Sequence, residues 1–455
     1  VSHLPRHDGR VVICGAGIAG VSTAFHLTRL GVTDIVVVDE RPPLTLTSDK
    51  STECYRDWWP TTPMVEMMSD SISLLKRYAD ESSNQFALSQ RGYLYVTGDR
   101  DELASMIRQA TQIASLGAGD VRHHAEVTGG YRYADVDGYS GSQSGADVFT
   151  TTDALLGAFG YITDKAVGGI HVRNAGWLSA QQLGAWMIDE ASSNGVTFMR
   201  DSVTQVSYDE TGIRSVSTGA GEEIDASVFV NAAGPLIADV GRLVGEEIPV
   251  TSEIHQKVSF KDHREAFPRE APMVIWNDPQ RIGWDDDVRA MLMESGRSDV
   301  VAELPPFVHG RPEGGTGSQW ALGLWEWSTK TTDSPSWPLL EDDLYPELVM
   351  RGLAAMLPSM SVYSDALPQH SIDGGYYTKT RENTPLVGPI GPDGSYICGA
   401  LSGYGIMAAC GVGNLAAKHI AGHDLPRYAN AFRADRYDDP AYVASLAHID
   451  TTGQI

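Results

Sequence analysis

The sequence predicts an α/β protein in which a parallel, helix-flanked sheet is assembled from discontinuous segments and an antiparallel sheet (α+β) forms a second unit. Three observations predict it. Short apolar runs at 11–14, 35–38, 226–230 and 396–399 have the unbroken hydrophobicity of strands buried on both faces. Helical periodicity follows the first and the last of these runs. Residues 85–160 and 245–365 differ in texture, with alternating strand-like pieces, many aromatics and acidic loops. At 455 residues the chain exceeds one simple core. The expected division is 1–84, 161–244 and 366–430 for the parallel-sheet unit, 85–160 and 245–365 for the antiparallel unit, and 431–455 as a C-terminal tail.

The first strand, Val11-Val12-Ile13-Cys14, runs directly into Gly15-Ala16-Gly17-Ile18-Ala19-Gly20. Ile18, Val21, Ala24, Phe25 and Leu27 then mark one face of a helix that Gly31 stops. A second strand, Ile35 to Val38, ends at Asp39-Glu40-Arg41. Each glycine has a distinct physical use: Gly15 permits the tight turn, Gly17 lets the backbone approach a pyrophosphate, and Gly20 lets helix and strand pack closely. The helix start at Ile18 and Ala19 offers free N–H groups and partial positive charge to phosphates. Asp39, nineteen residues after Gly20, is placed to accept from adenosine ribose hydroxyls. Glu40 shares that role or stands in solvent, and Arg41 follows at the same edge of the site. A glycine motif alone is weak evidence; two flanking strands and a correctly placed acid make it strong. NAD and FAD are equally allowed to this point.

The later elements separate them. Leu178 to Ser193 reads as a helix, and 195–198 and 203–206 read as strands. The run 226–230 ends in Asn231-Ala232-Ala233-Gly234-Pro235, a small-residue turn that lets the chain pass close to a ligand. Thr380 to Pro389 leads to the strand Tyr396-Ile397-Cys398-Gly399. Ser402-Gly403-Tyr404-Gly405-Ile406-Met407 then opens a long helix through about residue 420. The start of that helix would face an electron-rich ligand edge and stabilise negative charge. Reduced flavin carries such charge on its pyrimidine side; nicotinamide does not.

Together GAGIAG, VVVDE, VNAAGP, NTPLVGP and ALSGYGIM resemble the D-amino acid oxidase, sarcosine oxidase and dimethylglycine dehydrogenase superfamily of FAD-dependent oxidoreductases. The resemblance spans roughly residues 10–60, 165–240 and 370–425. It implies a glutathione-reductase-like Rossmann FAD domain and an antiparallel-sheet substrate domain. It further implies that the Val203 backbone lies near the adenine, that Ala233 and Gly234 pass the cofactor, and that Gly403, Tyr404, Gly405, Ile406 and Met407 wrap the flavin's pyrimidine edge. Residues 48–56 stand where the family keeps a polar loop on the pyrophosphate and flavin. There Lys50, Ser51 and Thr52 suit oxygen-rich ligands, the alternative being an ordinary surface turn. Relatives that attach flavin covalently use a cysteine where this chain has Gly375, or a histidine where it has Cys54. A Cys54 thiolate could bond to the flavin, but a buried free thiol is the simpler state, so non-covalent FAD is expected. Two family lysines that assist oxygen have no counterpart: the stretch 318–325 holds none, and the second position is Met407. Both gaps speak against fast peroxide formation and leave open a dehydrogenase that passes electrons to another acceptor, beside an oxidase.

Amine oxidation needs a C–H bond aimed at flavin N5, a neutral amine and an anchor for the rest of the substrate. Tyr377 aligns with a family tyrosine on the substrate face of the flavin, and Tyr376 is its neighbour. Arg311 is the expected carboxylate anchor, because guanidinium matches a carboxylate bidentately; an ordinary Arg–Glu bridge is its alternative. Arg56 and Arg381 compete for the role. His255 reads as a packed histidine, and Trp58 and Trp59 wall the pocket or fill the core. Asp285-Asp286-Asp287 lacks spaced partners, so a solvated acidic loop is expected and no metal site. The function implied is FAD-dependent oxidation of the C–N bond of a small amine or amino acid, by hydride transfer to flavin N5. A 2-hydroxy acid dehydrogenase or a flavin-binding subunit of a larger complex are the alternatives.

The remaining expectations come from composition. Lys and Arg number 34 against 59 Asp and Glu, a net charge of −25 that repels nucleic acid and anionic membranes. A small amine or amino acid is thus the expected partner. The four cysteines show no metal-like spacing. No apolar run approaches the ~20 residues that span a bilayer, and no signal peptide precedes the first strand, so a cytoplasmic protein is expected.

Overall fold

β1 (Val11–Cys14) is buried along its whole length. In the computed structural model, which describes residues 9–127, 130–132, 134–139 and 143–448, it lies inside a six-stranded sheet. The strand order is Leu386–Pro389, Ser395–Gly399, Val228–Asn231, β1, β2 (Ile35–Asp39) and Thr197–Arg200. Every neighbouring pair is parallel except the antiparallel edge strand Leu386–Pro389. Val11 pairs with Ile35 on one side and Val228 on the other, so segments far apart in sequence share one core. α1 (Ile18–Arg29) packs against the long helix Gly405–Ala421. Their approach is close: a Cβ at Gly413 would lie 2.3 Å from Ser22 Oγ, and that hydroxyl donates to the Ala409 carbonyl at 2.7 Å.

The second sheet has ten strands, with Thr251–Lys261 as its spine. Trp320–Leu324 pairs with one part of that spine and His370–Lys379 runs along it, placing Tyr377 opposite Glu253 and His255 opposite Gly375. Two strands that fall within the spans expected for the parallel-sheet unit, Gly168–Val172 and His370–Lys379, hydrogen-bond into this sheet. The latter crossing carries Tyr376 and Tyr377 from the second sheet to the edge of the first.

Val203 lies just past the last strand of the first sheet. The strand Thr197–Arg200 ends beside β2, where Asp201 N donates to the Asp39 carbonyl at 3.0 Å. The chain turns there, and Val203 opens a separate three-stranded antiparallel sheet, paired with Thr218. Val203 packs there against the cluster that holds Cys14 and Val38. Asp286 and Asp287 form the first turn of the helix Asp286–Glu294, where negative charge suits the helix dipole. Residues 434–438 pack back onto the cofactor side through buried Arg436, which pairs with Glu382 at 2.8 Å. The four cysteines are buried and unbridged. Among the described residues no helix is long and apolar enough to cross a membrane.

Candidate active site

Helices α1 and Gly405–Ala421 begin on the same cavity, and neither is capped by the side chain of its own N-cap residue. The first N–H groups of a helix lack intrahelical partners, so these two starts present donors to whatever fills the space. At the α1 end, Gly15 has φ +110, and a Cβ there would sit 2.3 Å from the Ala232 carbonyl oxygen. Only glycine fits that turn. A Cβ at Gly20 would fall 1.9 Å from the Gly15 carbonyl oxygen, so Gly20 serves helix–strand packing and does not itself line the cavity. Gly15, Gly17, Ile18, Ala19, Asp39, Arg41, Ala233 and Gly234 all line it.

Asp39 does two jobs within the fold. One carboxylate oxygen accepts from Ala16 N at 2.8 Å and the other from Arg41 N at 2.9 Å, locking the glycine turn to the end of β2. Glu40 points to solvent, paired with the Arg41 guanidinium, and is not in the lining. Arg41 lies over the Trp337 ring at 5.2 Å. The loop after β2 contributes Leu44 to Ser48 and Ser51. Sequence reasoning missed Ser48, whose hydroxyl accepts from Ile18 N at 3.0 Å; its signal was a hydroxyl in a loop already marked as polar.

Lys50 and Gly375 depart from expectation. Lys50 Nζ donates to Asp373 at 2.9 Å, and a Cβ at Gly375 would stand 3.0 Å from Lys50 Cβ and 3.2 Å from Thr47 Cα. The loop therefore lies directly on the 373–376 backbone, with Thr47 Oγ1 donating to the Tyr376 carbonyl at 3.0 Å. Neither residue lines the cavity. Gly403, Gly405 and Ile406 close its far end, beside Ala400 and Ser402, which hold φ values of 56 and 45. Non-glycine residues in that region store roughly 1–3 kcal/mol each. The uncapped helix starts, glycine-walled surfaces and acid at the β2 end suit an adenine dinucleotide. The second helix start suits a flavin's pyrimidine edge.

A second pocket opens beyond Tyr377, Ser402 and Gly403, which it shares with the cofactor cavity. Its other walls include Thr52, Cys54, Arg56, Trp59, Tyr93, His309, Glu326, Tyr404 and Met407. Arg56, on β3 (Cys54–Arg56), lies over the rings of Trp59 at 4.6 Å and Tyr93 at 6.0 Å and donates to the Trp58 carbonyl. Tyr404 donates to the Asn383 carbonyl at 2.9 Å. Tyr377 stacks on His255 with ring centroids 4.0 Å apart, and burial pushes its phenol well up. Tyr376 turns the other way, bonded to the backbone of Ser336. Cys54 Sγ approaches the Thr52 carbonyl and Met273 Sδ, each at 3.2 Å, and burial raises its thiol pKa.

Arg311 is a further correction. Its side chain is fully buried, donates from Nε to the Thr52 carbonyl at 2.7 Å, pairs with Glu313, and lies 3.6 Å from Glu53. An arginine so enclosed holds the loop of 52–54 to the second sheet and lines neither the cofactor cavity nor the adjoining pocket. Arg381 binds the Leu446 carbonyl at 3.1 Å. Of the three arginines considered for the anchor, Arg56 alone lines the pocket. Glu326, His309 and buried Lys257, whose Nζ donates to the Ser51 carbonyl at 3.0 Å, were not singled out from sequence. Each is one polar residue in a β-strand neighbourhood, which carries no local signal.

The sequence profile of the family described as DAO, FAD dependent oxidoreductase, matches residues 10–419. The chain is 24% identical over 249 residues to the mitochondrial pyruvate dehydrogenase phosphatase regulatory subunit of Mus musculus. It is 26% identical over 262 residues to the mitochondrial sarcosine dehydrogenase of Homo sapiens. Both alignments take in 54% of this chain and 25% of the relative; the chain spans about a quarter of the length of these relatives. The L-proline dehydrogenase structure from P. horikoshii has a TM-score of 0.71 at 18% identity, covering 94% of this chain and 97% of that one. Glycine oxidase from Geobacillus kaustophilus gives 0.69 at 15%, covering 91% and 95%. At such identities the likeness concerns the fold.

Proposed function

The chain belongs to the FAD dependent oxidoreductase (DAO) family, and from that premise we propose that it oxidises the C–N bond of a small secondary amine or amino acid. The observation that carries the reading is the shared wall. Tyr377, Ser402 and Gly403 face both the cofactor cavity and a pocket holding Arg56 and Glu326. A guanidinium and a carboxylate in one small pocket suit the two charges of an amino acid. When bound, FAD supplies the two-electron acceptor for hydride from the carbon next to nitrogen. The chain's own residues orient the substrate: Arg56 holds the carboxylate, and Tyr377 with the 402–403 turn limits how the reacting carbon meets the cofactor cavity. Non-covalent FAD fits this reading, because Gly375 offers no side chain and Cys54 lines the adjoining pocket and not the cofactor cavity.

Anaerobic mixing of the flavin-loaded protein with N-methyl amino acids, D-amino acids and 2-hydroxy acids tests this. Bleaching by an amine is expected; bleaching by hydroxy acids alone would replace the reading with alcohol oxidation. Slow return of colour in air is expected, with an acceptor other than oxygen. Rapid return with peroxide would assign oxygen and direct attention to Lys257. The relative whose printed name is a regulatory subunit favours a second reading, a flavin-binding subunit active only within an assembly. Turnover by a purified single species would exclude it.

A further inference from the structure

Glu326 follows the strand Trp320–Leu324 and stands between two spaces. On one side is the substrate pocket. On the other is a vestibule of ≈ 1980 Å³, counting its open mouth, walled by parts of 254–256, 296–299, 325–330 and 336–345. Glu326 is the residue that both linings share. Its carboxylate is 23% exposed and lies 2.6 Å from Nδ1 of buried His255. His255 Nε2 lies 3.3 Å from Glu253, which in turn accepts from Lys379 Nζ at 2.7 Å. A row of alternating charge therefore ends on the substrate pocket.

We propose that Glu326 accepts the proton of the substrate's ammonium group and releases it to water in the vestibule. This rests on the amine reading above, because a hydroxy acid brings no such proton. The step is R₂NH₂⁺ + Glu326–COO⁻ → R₂NH + Glu326–COOH, after which the acid returns its proton to vestibule water. No electrons move. The product amine has the lone pair that its later oxidation requires.

Every other group near the pocket fits this role less well. Burial disfavours a charged His255, but Glu326 and Glu253 outweigh it and raise its pKa; as an imidazolium it has no lone pair to accept a proton. It is a positioning residue that holds the Glu326 carboxylate at 2.6 Å. The phenols of Tyr377, Tyr93 and Tyr345, which face Glu326 or the pocket from three other elements, are held protonated by burial. His309, with Nδ1 2.8 Å from the Phe307 carbonyl oxygen and a pKa lowered chiefly by burial, borders the pocket but not the vestibule, so a proton taken there has no exit. Arg56 is a cation across the pocket. In the vestibule Arg297 is held by Asp299 and Asp342, and Lys330, Glu341 and Asp343 stand farther along its wall.

The test is flavin reduction followed anaerobically from pH 6 to 10, with sarcosine, glycine and L-proline as probes. In Glu326→Gln, reduction near pH 7 is expected to fall roughly a hundredfold. It should then rise tenfold per pH unit toward the amine's own pKa, as only neutral amine from solution reacts. His255→Gln should lower the limiting rate of flavin reduction, with the half-saturating substrate concentration unchanged, by removing the group 2.6 Å from the Glu326 carboxylate. Glu326→Asp, which keeps an acid, should retain the wild-type profile shape at a lower rate, and it serves if the Gln variant loses flavin. Wild-type pH dependence in Glu326→Gln overturns the proposal. So does the tenfold-per-unit slope appearing in His309→Gln instead. A wild type bleached by no amine sinks the earlier reading, a result distinct from either of these.

Discussion

A methyl group on residue 403 would lie 2.4 Å from Tyr377 Cε2 and 2.8 Å from its Cδ2. Ser402 is held just before it, its N–H donating to the Thr378 carbonyl at 2.8 Å, so neither partner has slack. Gly403→Ala is expected to displace the Tyr377 ring or the turn. Flavin reduction should drop at least roughly tenfold, about 1.4 kcal/mol of lost positioning, with circular dichroism unchanged. Full activity would show that the contact does not constrain the site. At this scale the sequence was informative where a residue's role is set by its own backbone. Gly15 was legible because a turn before a helix demands it. Arg311 was not, because nothing in His309-Gly310-Arg311-Pro312 tells whether a guanidinium faces a pocket or a wall of its own carboxylates.

The link between β3 and the second sheet is an element-scale device. Arg311 joins the loop of 52–54 to the strand Val308–Glu313 and lies over the Trp177 ring at 5.2 Å. Glu53, with φ 57, is held between them, and burial raises its carboxyl pKa despite the nearby arginine. Arg311→Ala would leave Glu53 and Glu313 without that cation. Breaking a buried pair from one side costs about 3–5 kcal/mol. Urea unfolding should show a loss of that size, and a loss below about 1 kcal/mol would mean the carboxylates find other partners. The elements themselves were largely visible in sequence: the helix expected at 178–193 is Ala180–Ser193, and the strand expected at 35–38 is Ile35–Asp39. Their pairing was not. The span 366–430 was expected with the parallel-sheet unit, yet His370–Lys379 pairs with Thr251–Lys261, because a strand's hydrophobic pattern does not name the strand beside it.

Across the whole molecule, three buried histidines set a common pH dependence. Burial chiefly lowers the pKa of His26 to about 4, His171 to about 3 and His419 to about 4. Unfolded, each titrates near 6.5. The unfolded chain therefore binds protons that the folded one refuses as pH falls from about 6.5, and stability declines through that window. His255, with a raised pKa, acts oppositely: its contribution is complete below about 6.5 and is lost as pH rises through the folded pKa. His309, lowered by burial as well, adds to these three, and together they outweigh His255 and the raised carboxyls of Asp57 and Glu53, so Tm should fall between pH 7.5 and pH 5; a flat profile would contradict the burial of these rings. The same contrast of scale divides what each level determined. The sequence by itself settled the nucleotide-binding half, because glycine turns, doubly buried strands and helix starts are specified by residues adjacent in the chain. Only the tertiary structure decided the substrate pocket. Arg56, His309, Glu326 and Tyr377 arrive on separate strands or strand ends, and the energy of a charge depends on which distant strand places its partner within a few ångströms.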